Sequence, residues 1–173
     1  MAVDLTLKSP SITNREAVPR TINNPGAGGA GVLRVTQGYF ASVTAALSIT
    51  SIIRLCEIPA HATVHSVTFA SAAQGAGKFD LGLYKTNADG GAVVDQDFFA
   101  TAIDCTSAVV LTDETNESTT NTIAKQNQPI WQAAGVTAPG PAPGTMYDVC
   151  AVVVATDVTT GTGAIGVKVL YTI

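Results

Sequence analysis

In the segment Lys78–Lys85, Phe79, Leu81 and Leu83 alternate with Lys78, Asp80, Gly82 and Tyr84, the period of two expected of a strand with one buried face. Runs rich in Val, Ile and Thr recur from Val32 to Ile173, each bounded by Gly, Pro, Asn or Asp. They predict strands at Val32–Val35, Phe40–Ile49, Ile52–Ile58, Thr63–Phe69, Lys78–Lys85, Val109–Leu111, Met146–Thr156 and Ala164–Ile173. His65, Val67 and Phe69 are expected on one face of their strand. Val93–Ile103 reads as a strand pair or a helical turn, because Asp95-Gln96-Asp97-Phe98-Phe99 has no firm period. Within Gln128–Gly135, Pro129 suits the first turn of a short helix and Gly135 its stop. Pro59-Ala60-His61-Ala62, Asn87–Gly91, Ala138–Gly144 and Thr159–Gly163 read as turns or loops, and Thr112–Asn121 as a polar loop. About eight short strands with one short helix imply a mainly β, antiparallel sandwich or jelly-roll-like domain.

Residues 1–31 are of another kind. They have no sustained period and end in the glycine-rich run Gly26–Gly31, so the chain divides into an extended arm with a hinge, 1–31, and a β-sandwich body, 32–173. Residues 1–34 hold Lys8, Arg15, Arg20 and Arg34 against Asp4 and Glu16, whereas the rest has five basic and eleven acidic residues. The net −6 of residues 35–173 would repel phosphate backbones, which argues against nucleic acid as a partner. Charged residues are 13% of the chain, about half the ~25% usual in soluble domains, so much of the surface is suited to contact. The N-terminus lacks the basic start and apolar core of a signal peptide, and no apolar run approaches the ~20 residues of a membrane span. Synthesis in the cytoplasm and no membrane partner are the expectation. Cys56, Cys105 and Cys150 form an odd set without CxxC spacing and are expected to be free buried thiols.

No residue pattern carries catalysis, a metal or a cofactor. His61 and His65 would share a helix face at i, i+4, but in an extended segment they lie ~13 Å apart. Asp89, Asp95, Asp97 and Asp104 lack the spacing of a calcium loop and read as a solvated acidic face. The glycine run lacks the GK[ST] ending of a phosphate loop. Trp131 reads as a plug over one end of the sandwich or as an aromatic platform for a sugar.

Several segments taken together resemble the head decoration, or capsid cement, proteins of tailed bacteriophages. They are Arg54–Val64 with its Ile58-Pro59 ending, Phe79-Asp80-Leu81-Gly82-Leu83-Tyr84, Pro129–Gly135 with Trp131, Tyr147-Asp148-Val149, and Val167–Tyr171. In that group an Ile-Pro strand end, a DLGLY-like strand, a Trp-containing helix and a terminal hairpin recur in this order. The resemblance spans 32–173, with Ala138–Gly144 as an extra loop, and 1–31 matches only as the expected kind of arm. It implies a non-enzymatic protein attached to the exterior of an icosahedral capsid, commonly as a trimer, with the major capsid protein as partner.

On this reading the arm lies over neighbouring capsid subunits. Leu5, Leu7 and Ile12 are the candidates to dock or add a strand, and Lys8, Arg15 and Arg20 to pair with capsid carboxylates. Two alternatives share the composition: a tail or fibre protein, and a carbohydrate-binding module using Trp131 and Tyr84.

Overall fold

A computed structural model describes residues 32–41, 47–155, 157–158 and 163–173. Eight strands run in chain order: β1 (Arg34–Phe40), β2 (Ile52–Pro59), β3 (Thr63–Ser71), β4 (Lys78–Lys85), β5 (Val93–Asp104), β6 (Val109–Asp113), β7 (Met146–Val154) and β8 (Ile165–Thr172). One helical turn, α1 (Ile130–Ala133), precedes β7. The strands form two four-stranded sheets, ordered β1-β8-β3-β6 and β2-β7-β4-β5, with every neighbouring pair antiparallel. The pairs β1–β8, β2–β7, β3–β6 and β4–β5 alternate between the sheets. The chain therefore behaves as one long ribbon, doubled back at β4–β5 and wrapped on itself, which is the jelly-roll form of the β-sandwich.

The period-two residues meet between the sheets. Val67 and Phe69 of β3 and Ile165, Val167 and Val169 of β8 face Phe79, Leu81 and Leu83 of β4 and Val149, Ala151 and Val153 of β7 in one core. Complete burial of a side chain such as Phe79 or Leu81 contributes roughly 1.5–3 kcal/mol. Such burial, repeated along every inner face, holds the sandwich.

β5 settles the ambiguous stretch Val93–Ile103 as a single strand with a wide bulge. Leu83 pairs with Asp95 but Leu81 with Ala100, so five positions of β5 oppose two of β4. The surplus lets adjacent Phe98 and Phe99 both turn inward, edge to face at 4.8 Å. It also folds β5 over the outer side of β4. Asp80, expected on a polar face, is thereby buried and accepts from Gln96 Nε2 at 2.9 Å and Ala102 N at 2.8 Å. At Gly82 a Cβ would overlap the carbonyls of Asp95 and Gln96.

Two expectations are corrected. β1 extends from Arg34 to Phe40 and does not run on to Ile49: Ser48–Ser51 is a turn, Thr50 has φ of 75°, and 42–46 lie outside the described residues. Gly38 lies inside β1, paired with Val167 of β8, where the strand crosses β2 so closely that a Cβ would collide with the Leu55 carbonyl. His65 does not share the face of Val67 and Phe69. A bulge between Val64 and Ser66 turns it to solvent, where its Nε2 hydrogen-bonds Thr172 Oγ1 at 3.0 Å.

Candidate docking surface

The arm residues Leu5, Leu7, Lys8, Ile12, Arg15 and Arg20 lie outside the described residues, as does the glycine hinge. What is described is the point they lead into. Among the described residues β1 is an edge strand paired only with β8, so none of them pairs with its other edge. Val32 is 72% exposed, Leu33 57% and Val35 58%. Residues 32–35 thus form an apolar strip along a sheet edge that is open among the described residues, beside the close crossing at Gly38.

Beside this strip lies the outer face of the β1-β8-β3-β6 sheet. Residues directly opposed in antiparallel strands share a face, and the register sets three outward rows: Tyr39–Gly166–Ala70, Gln37–Lys168–Thr68–Asp113, and Val35–Leu170–Ser66. The floor is made of small residues, Gly166 and Ala70, with Thr68 beside them. Tyr39, 75% exposed, stands on one side; Leu111 and Val110, 65% and 79% exposed, stand on the other. Two shallow cavities of about 330 and 340 Å³ share Tyr39, Ala70 and Gly166. Leu111 holds a left-handed φ of 44°, uncommon for a residue of its size. In these rows Lys168 and Asp113 are the only charged groups.

At one end of the sandwich, α1 packs on the β2–β3 turn: Ile130 N donates to Ala62 O at 2.9 Å and Trp131 N to Ala60 O at 3.2 Å. Trp131 stands edge-on to His61, and His61 Nε2 donates to Pro141 O at 3.0 Å, tying the 138–144 loop across the end. A Cβ on Gly140 would lie 2.9 Å from the Trp131 ring, so the loop covers the ring that a sugar platform requires. Tyr84 is buried with Cys150 and Val152. It does not present a second platform.

The titratable groups serve the frame. Arg54 bonds the Asp148 carboxylate and donates to Lys85 O at 2.8 Å and Gly91 O at 3.1 Å, clamping the β4–β5 turn to β2 and β7. The Asp89 amide donates to Thr86 Oγ1 in that turn. Asp95 is pushed up by burial and by the neighbouring Asp97, whereas Thr106 N–H, donated to Asp104, holds Asp104 below the ordinary range. Burial raises Cys56 and Cys150 to about 12 and Cys105 to about 11, so all three free thiols stay protonated near neutrality. Among the described residues, no three His, Cys, Asp or Glu side chains gather to hold a metal. No described helix is long and apolar enough to cross a membrane.

No family model and no curated protein matches the chain. Among solved structures it is similar to a chain of the "Cyanophage Pam1 capsid asymmetric unit", with a TM-score of 0.46 and 16% identity, over 91% of this chain and 96% of that one.

The arm strip and the outer sheet face escaped sequence reasoning for one reason. Val35, Gln37 and Tyr39 do alternate, but the apolar run ends at Val35 and the next begins at Phe40, which hid the continuous strand.

Proposed function

We propose that this chain is a non-enzymatic structural protein of a phage virion that binds the outer surface of the capsid and stabilises the shell by bridging neighbouring major capsid subunits. The observation that carries this reading is the start of β1: an apolar sheet edge, open among the described residues, on the sandwich at the place where residues 1–31 lead in. Whatever residues 1–31 grip is drawn against that edge, so one copy contacts its support through arm and body together. Two linked contacts raise the effective concentration of each, and avidity exceeds either alone by orders of magnitude. In this role Leu5, Leu7 and Ile12 supply apolar or strand-adding contacts and Lys8, Arg15 and Arg20 pair with capsid carboxylates. The resemblance of Arg54–Val64, Phe79–Tyr84 and Pro129–Gly135 to capsid decoration proteins supports the same role, with the copies joined as a homo-oligomer.

The test is co-sedimentation of purified protein with expanded capsids that lack it. Deleting residues 2–31 is expected to abolish binding while circular dichroism shows the body still folded. Full occupancy of capsids by the truncated protein overturns the proposal. Cryo-electron microscopy of particles that placed the protein on the tail or a fibre would overturn it as well.

A further inference from the structure

We propose that the outer face of the β1-β8-β3-β6 sheet docks a second copy of this chain, face to face about a two-fold axis running along β3. This goes beyond capsid binding and does not rest on it. A two-fold interface must be self-complementary, with each feature on a face matched by its counterpart on the same face. Here β8 and β6 flank β3 on either side and run in the same direction, since each is antiparallel to it. Rotation about β3 therefore lays β8 of one copy on β6 of the other, row for row.

Two matches follow. In the row of Thr68, Lys168 on β8 and Asp113 on β6 lie one strand to either side, so each lysine meets the aspartate of the other copy, twice over. Both side chains are exposed, and Asp113 accepts from Thr115 N and Thr115 Oγ1 through Oδ1 alone, so Oδ2 makes no hydrogen bond among the described residues. Two residues earlier along each strand, Leu111 of one copy comes over Gly166 of the other. The ridge of Leu111 enters the trough floored by Gly166 and Ala70, and Tyr39 closes its outer side.

Charge agrees with this occupant, and area sets its strength. Copies of an acidic body repel one another over most of their surface, whereas this face balances one positive against one negative group. With the axis on β3, the strands β8, β3 and β6 of each copy overlap and β1 overhangs, so three strands at ~4.8 Å and about seven residues at ~3.3 Å make a face roughly 14 by 23 Å. Two such faces remove roughly 650 Å² from water, below the ~1,000 Å² of stable interfaces, which makes this a weak, concentration-dependent contact.

The experiment is sedimentation velocity with light scattering on the full chain, from about 1 to 100 µM, the range in which a small interface dissociates. The expected result is an assembly with an even number of copies. Leu111→Asp keeps a residue type suited to left-handed backbone and buries two carboxylates in the troughs. Lys168→Glu sets like charges against Asp113. Each is expected to weaken association tenfold or more, and 1 M salt, with a Debye length of ~3 Å, is expected to restore Lys168→Glu in part. Circular dichroism melts show whether each variant is folded; were Leu111→Asp to unfold, Lys168→Glu and its salt response remain the test. A monomer at 100 µM, or an assembly unchanged by Lys168→Glu, overturns the proposal. A trimer untouched by both substitutions also does so, while leaving the capsid reading standing.

Discussion

Replacing Gly82 by alanine is the sharpest single test of the way β5 lies across β4. The added methyl would sit inside van der Waals contact of the Gln96 carbonyl and the Asp95 oxygen, both backbone, so no side-chain rotation relieves it. β5 must lift away, yet it is tied down there by Asp80, which accepts from Gln96 Nε2 and Ala102 N. Overpacking of a dense interior costs about 1–3 kcal/mol. Weakening hydrogen bonds to a buried carboxylate adds roughly 1.5–3 kcal/mol each if they break. A total of about 4 kcal/mol corresponds to a fall in Tm of roughly 8–16 °C for a body of this size. Gly135→Ala supplies the control: φ there is 76° with nothing within 4 Å of an added Cβ, so only the left-handed backbone is penalised, by about 1–2 kcal/mol. Melts followed by circular dichroism at one protein concentration compare the two. The Ala102 amide, read by hydrogen exchange, is expected to lose protection in Gly82→Ala alone. A Tm loss for Gly82→Ala no larger than for Gly135→Ala refutes the crossing geometry.

Three further outcomes are expected. Phe98→Ala, which removes a fully buried ring packed edge to face on Phe99, is expected to cost about 3–5 kcal/mol in denaturant unfolding; a loss below 1 kcal/mol would mean that the bulge does not turn both rings inward. Burial, Glu117 and Asp113 raise the Glu114 carboxyl above its ordinary value, so its ionisation opposes folding above the raised pKa, and that penalty fades as pH falls through it to the unfolded value near 4.5. Glu114→Gln is therefore expected to raise Tm at pH 7 and to give no gain at pH 4; a gain that grows in acid contradicts the sign. Cys56 is half-buried with its thiol raised to about 12, so the folded protein is expected to react with a thiol reagent at pH 7.5 far more slowly than the unfolded chain. Equal rates would place that thiol at the surface.

The sandwich was legible because its inner faces keep a period of two where both sheets demand it, as in Phe79, Leu81 and Leu83 or Val167, Val169 and Tyr171. It failed where tertiary contact overrides local pattern. Gly38 has to be glycine because β2 passes beneath it, and Asp80 is buried because β5 folds over it. Neither cause lies within a few residues of its effect. The outer sheet face was hidden for a related reason: Tyr39, Gly166, Thr68 and Leu111 come from four strands, and only the register brings them together. Residues 1–31 could be distinguished by composition alone.

The wrapped-ribbon topology also orders the making and breaking of the molecule. Strand partners are nine residues apart at the doubled-back end, Tyr84 with Val93, and more than 130 apart at the other, Arg34 with Tyr171. Closing the longer loops carries the larger entropy cost and slows folding, so pairing spreads outward from β4–β5 and β1 joins β8 last. β1 is also the strand that residues 1–31 precede in the sequence. A pull applied at the N-terminal end of β1 would thus act on the last-formed pair, peeling that strand while the β4–β5 end stays closed.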